Sequence, residues 1–268
     1  MKRSLDITGM ALLLMLSACN NSSTTNNTED SLTNKMTTAS ATLTFIDKDF
    51  KNELTPGCDS CPKVTATIPV AEGDAAVSQK INDSVFAVVQ SVFGEENKQF
   101  NNYDSLLANF MNMYKKMKAD LPNSASIGWE GNIKGSVVKQ TDSFANIKLE
   151  TFVFTGGAHP NTNTYSLLFN AVTGNKLVLT DIIKDIPGLT TAAEKKFREQ
   201  LKIPANAPVN STIYTFDNNK FALPKNIFFT DSGLVLHYNA YEIAPYYIGA
   251  TIVTLPYADV QQYLAIKP

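Results

Sequence analysis

The sequence predicts an α+β fold, with one or more mainly antiparallel sheets packed by a few helices. Three observations carry this. Apolar residues recur at helical spacing in blocks, after Asp74 and again after Asp104, and not between successive strands. From Ser126 the period changes to two, and the segments read as adjacent hairpins instead of alternating strand and helix. Finally, 44% hydrophobic and 10% aromatic residues suffice for a core, while 18% charged residues are too few for a coiled coil.

Charge excludes some function classes. The 23 basic and 25 acidic residues of the 268 leave a net charge of -2, which gives no electrostatic footprint for nucleic acid.

The elements follow in order. Lys2 and Arg3 precede an apolar run from Ile7 to Ala18 that is too short to span a bilayer as a helix, the layout of a cleavable signal peptide at 1–18. Leu16-Ser17-Ala18-Cys19 resembles a bacterial lipobox, making Cys19 the expected lipidated N-terminus. Between Asn20 and Ser40, 15 of 21 residues are Ser, Thr or Asn, so 19–41 is expected to be a lipidated, flexible tether. Asp30-Ser31-Leu32 within it resembles a bacterial O-glycosylation acceptor. Cys58 and Cys61, followed by Pro62 and the alternating Lys63–Val70, are expected to form a short structural disulfide at a strand entry. A thioredoxin-like motif needs a helix there, and zinc would need His159 and His237 from far away.

Asp74 caps a helix whose stripe is Val77, Ile81, Val85, Val88 and Val92, closed by Gly94. Asp104 or Ser105 caps a second, with Leu107, Phe110, Tyr114, Met117 and Leu121 inward and Pro122 as its stop. Ile127, Trp129, Ile133 and Val137 share one strand face, and Ala145 to Val153 line the next, with Phe152 and Phe154 covering the opposite face. Thr173-Gly174-Asn175 turns between strands at Tyr165–Phe169 and Lys176–Leu179. A third helix fits Thr191–Leu201, later strands fit 226–229, 233–239 and 249–255, and a short helix closes the chain at 257–264. The division expected is a helix-rich first half ending in a hairpin at 42–160, and a second half at 161–268 packed intimately against it.

Two stretches carry a family resemblance: Phe154-Thr-Gly-Gly-Ala-His-Pro-Asn161 and Phe229 to Gly249, the latter containing Tyr241-Glu-Ile-Ala-Pro-Tyr246-Tyr247. In this order they resemble the extracytoplasmic domain shared by the lysozyme-sensing anti-sigma factor RsiV and the N-terminal region of the peptidoglycan deacetylase PdaC, over roughly Thr65 to Leu264. The resemblance implies a stand-alone binding or sensing module at the cell envelope, without the anti-sigma segment or the catalytic domain of those proteins.

The candidate site residues come from these stretches. Gly156 and Gly157 are expected to adopt a backbone closed to other residues and to let their loop approach another strand, with an anion-binding nest as the alternative. His159 is expected to hydrogen-bond Glu242 and so lock the Gly-Gly loop against the Tyr-rich loop. Tyr241, Tyr246 and Tyr247 are a candidate binding surface, and Tyr238 a core residue. The enzyme alternative pairs Glu242 with Asp231 or Asp181 as in glycosidases; otherwise Asp181 caps a helix beginning at Ile182. No catalytic residue, metal or cofactor is assigned. The leading expectation is a lipid-anchored, non-catalytic envelope protein that binds a lysozyme-like protein or cell-wall glycan. A structural accessory subunit is the third reading, and no nucleic-acid partner is expected.

Overall fold

Val64, Ala66 and Ile68 alternate inward along a ten-residue strand, β2 (Lys63–Glu72), and the first half of the molecule is built around it. The computed structural model describes residues 42–58, 60–121 and 128–268. The signal segment, Cys19, the tether, Pro122 and Ile127 lie outside the described residues. No described helix is long and apolar enough to cross a membrane.

β1 (Thr44–Glu53) pairs antiparallel with β2 along its whole length. This strand is absent from the sequence expectation, because as an edge strand it buries little and carries Asp47, Lys48, Asp49, Lys51 and Glu53. Charge on an edge is a known guard against unwanted pairing. After β2 comes α1 (Ala75–Phe93), where the Asp74 carboxylate accepts the N–H groups of Ala76 and Val77, two of the donors a helix start leaves without partners. Its buried stripe is Val77, Ile81, Val85, Val89 and Phe93. Val88, expected inside, sits at the margin. α2 (Tyr103–Asp120) begins earlier than expected, capped by the Asn102 side chain, which accepts from Ser105 N–H.

Both helices occupy one crossover, since β3 (Glu130–Gln140) lies parallel to β2 and parallel neighbours need a long connection. β4 (Phe144–Phe154) and β5 (Asn161–Asn170) add antiparallel strands, giving a mixed sheet in the order β1-β2-β3-β4-β5. The first half is therefore a five-stranded sheet with two helices on it instead of a helix-rich region. β5 belongs to this sheet, so the step to the second sheet follows Asn170.

The second half begins with α3 (Leu179–Ile182) and α4 (Ile186–Leu201), followed by an antiparallel sheet of β6 (Asn226–Thr230), β7 (Gly233–Tyr238) and β8 (Thr251–Leu255), then α5 (Tyr257–Val260). α4 starts before the expected Thr191, with Asp185 as cap and Pro187 in its first turn. The strand expected at Lys176–Leu179 shrinks to one bridge, Phe169 to Lys176, before the chain enters α3. Asp181 is not a cap residue: it lies inside α3, and its carboxylate reaches back to Val178 N–H at 2.8 Å. Phe197 is fully buried, with Tyr214, Phe216 and Phe221 each 5.4 Å away, the first two edge-on.

The outer face of β4 decides where the two sheets meet. Phe144 and Asn146 are fully buried on that face, whereas Phe152 and Phe154, expected to mark a doubly covered end, are only half-buried. Phe144 packs on Phe229 of β6 at 5.0 Å. The Asn146 side chain accepts from Phe229 N–H at 2.9 Å and donates to Ser166 Oγ and Leu167 O. One amide thus ties β4, β5 and β6 together.

Candidate functional site

β5 is the outer strand of its sheet, so its free edge presents unpaired backbone groups. The structure covers that edge with side chains and loops. Asn239 accepts from Thr164 N–H at 2.8 Å and donates to Thr164 O at 3.0 Å, the double bond pattern a neighbouring strand would make. Asn226 accepts from Ser166 N–H, Leu177 N–H donates to Leu168 O, and Asn170 N–H donates to Asn175 O. Asn239 is therefore fixed against β5, and with it the loop that follows β7.

That loop opens with a turn. Glu242 N–H donates to Asn239 O at 3.1 Å, and the Glu242 carboxylate accepts from Asn239 N–H at 2.9 Å. Inside this turn Tyr241 has φ 69°, the left-handed region that a bulky side chain occupies only under strain. The strain aims an aromatic ring outward: Tyr241 is 65% exposed.

Facing it is the connection from β4 to β5. Gly156 and Gly157 have φ 98° and 109°, so the backbone path demands glycine. The expected close approach to another strand is not found, as a Cβ at either position would meet nothing within 4 Å. These glycines serve the turn itself, which delivers His159 to the Tyr loop.

His159 does not pair with Glu242, whose carboxylate is engaged within its own turn. Instead its Nδ1 donates to Pro160 O at 2.9 Å, since a carbonyl only accepts. In the neutral ring Nε2 is then the acceptor, and Tyr241 Oη donates to it at 3.3 Å. The His159 ring stacks on Tyr246 with centroids 3.8 Å apart and planes 16° apart, and Tyr246 Oη donates to Pro160 O. Tyr241 and Tyr246 thus join the two loops, and Glu242 takes no part.

Tyr246 of this clasp also borders a cleft of about 480 Å³. Its floor is hydroxyl and amide: Thr151, Thr162, Asn163, Thr164 and Asn239, with Glu150 at one side. Tyr246, Tyr247 and the Ile248–Ala250 backbone form its wall, and Tyr247 is 75% exposed. His237 also lines it, and its Nε2 is buried with no hydrogen-bond partner among the described residues. Burial pushes the His237 pKa down, Lys148 adds to that, and Asn239 and Glu150 partly restore it.

Other expected residues lie apart from this site. Cys58 and Cys61 form a disulfide in the turn between β1 and β2. Asp231 is held by Lys139 at 2.8 Å beyond the opposite end of β7 from Glu242; six strand residues separate those ends by roughly 20 Å. No glycosidase-like pair forms from Glu242 with Asp231, and Asp181 is engaged in α3. Tyr238 is buried, as expected, and donates to Ala222 O. Among the described residues no group of three or more His, Cys, Asp or Glu side chains forms a metal cluster. Sequence reasoning missed Asn146, Asn226, Asn239 and Thr162 to Thr164. The available signal was asparagine in or beside strands, where β propensity disfavours it.

Comparison with known proteins falls on the same two regions. Residues 58–162 match the family described as deacetylase PdaC, and residues 176–258 match DUF3298, a protein family of unknown function. A crystal structure of a DUF3298 family member from Bacteroides fragilis superposes with a TM-score of 0.61 at 20% identity, covering 85% of this chain and 96% of that one. One from Pseudomonas aeruginosa gives 0.53 at 20% identity, covering 85% and 95%. No curated protein matches the chain.

Proposed function

From a chain in which a PdaC-type region is followed by a DUF3298 region on one α+β framework, we propose a non-catalytic binding module, anchored at the bacterial cell envelope through Cys19, that holds cell-wall glycan in the cleft between β5 and the Tyr246–Ala250 segment. The observation that carries this is the cleft's composition. A 75% exposed tyrosine beside a floor of Thr and Asn side chains suits a ligand with flat apolar faces and many hydroxyls. Tyr246 is pre-set by its stack on His159, so little rotamer freedom is lost when a ligand settles on it. Glu150 is the one acid among the described residues that line the cleft, and a basic lysozyme-like protein, the other ligand suggested by the resemblance, would require an acidic surface for steering.

Calorimetry with soluble peptidoglycan fragments tests the reading. Saturable binding is expected, weakened about tenfold, or roughly 1.4 kcal/mol, in Tyr247→Ala with the unfolding midpoint unchanged. The same titration with lysozyme is the competing arm; binding there and none to glycan would overturn the ligand assignment. Release of sugar or acetate from the fragments by the purified chain would overturn the non-catalytic role. Anchoring has its own test: palmitate labelling of the expressed protein, lost in Cys19→Ser.

A further inference from the structure

A second cavity, of about 450 Å³, opens along the other half of the β5 edge, between α1 and the segments 176–182 and 223–227. We propose that it is a binding site for a long-chain fatty acid, with the acyl chain inside and the carboxylate at Lys176 and Lys225. Beside Tyr165, Ser166 and Asn226 the walls are aliphatic: Val88 from α1, Leu177, Val178 and Leu179 ahead of and within α3, Leu223 ahead of β6 and Ile227 within it. Residues from both hydrophobic cores meet here, so the cavity is a seam the fold leaves between them.

Two observations choose the ligand. The cavity wall contains Lys176 and Lys225 and no Asp or Glu, and neither lysine enters an ion pair among the described residues. Two exposed cations outside any such ion pair, on the wall of a largely apolar pocket, match a single-chain anionic amphiphile. Moreover, two of the β5 backbone groups at this edge are already engaged, Ser166 N–H by Asn226 and Leu168 O by Leu177 N–H. An added peptide strand would have to displace those two bonds, whereas an acyl chain needs no backbone partner.

The test is calorimetric titration of the full-length protein with tetradecanoate below its micellar concentration, beside tetradecanol and a lysophosphatidylglycerol of equal chain length. One-to-one saturable binding of tetradecanoate is expected, with the alcohol at least tenfold weaker. The double reversal Lys176→Glu, Lys225→Glu, at two exposed positions that leave the core untouched, should cost at least tenfold. Absence of saturable binding overturns the site, as does equal affinity for acid and alcohol or no effect of the reversal. Binding of the lysophospholipid alone overturns the carboxylate. Loss of binding in Tyr247→Ala would move the ligand to the glycan cleft and overturn the assignment equally.

Discussion

Two crevices of similar volume lie along one strand edge, and their linings have opposite chemistry. Toward the start of β5, residues 162–164 border a cleft of hydroxyls, amides and tyrosines; from Tyr165 to Leu168 the same strand borders aliphatic side chains and two lysines. The β5 backbone is alike in both places. What differs is the chain that covers it: the loop after β7 in one case, the approach to α3 and the entry to β6 in the other. Asn239 and Asn226 stand along this edge, each completing β5 hydrogen bonds with a side chain. A sheet edge closed by amides resists pairing with another chain and still leaves room for small ligands on either side.

That contrast can be broken most severely at Asn146, whose side chain ties β4 to β5 and β6. Asn146→Ala removes three hydrogen bonds and strands the buried N–H of Phe229, at an expected cost of ~2–4 kcal/mol in denaturant unfolding. Asn239→Ala should cost less, about 1–2 kcal/mol, because Thr164 is closer to solvent. Its sharper consequence is selective: glycan affinity falls and fatty-acid affinity stays, so equal losses in both titrations would refute the independence of the two sites.

Tyr241→Gly probes the strain in the clasp. Glycine relieves the positive φ, which favours the fold by up to about 1 kcal/mol, while the unfolded chain gains freedom that offsets part of it. Stability near wild type with weakened glycan binding is expected; a large loss of stability would mean that the ring is a core support. The smallest effect concerns pH. The folded state holds His237 neutral and lowers its pKa, so its contribution to stability is complete above the ordinary value near 6.5 and declines as pH falls toward the lowered one. Unfolding midpoints at pH 7.5 and 5.5 should therefore differ less in His237→Gln than in wild type.

Much of the architecture was legible in the residues. The stripe from Val77 to Val85, the alternation from Ala145 to Val153 and the Asp231-Ser232-Gly233 turn state their elements directly, because helix and strand periods depend on local spacing. β1 was not legible, since an edge strand exposed on most of its length carries no alternation to read. The parallel pairing of β2 with β3 was equally hidden, for it depends on partners 67 residues apart, as Lys63 and Glu130 are. At the site, the Gly-Gly loop and the Tyr loop were identified as partners, but the contact was assigned to Glu242 instead of Tyr241 and Tyr246. A His–Glu pair follows from both being polar residues in the two most distinctive segments, but the Asn239 turn engages the carboxylate.

Alone, then, the chain's order of residues determined most of the helices and strands, which two loops are unusual, and which side chains are apolar enough to form cores. Those properties follow from interactions over a few positions. Only the tertiary structure decided which loop faces which, where a lone asparagine replaces a missing strand, and which parts of the β5 edge become polar or greasy. Those outcomes depend on groups brought together from as far apart as Val88 and Ile227, a proximity that no local pattern encodes.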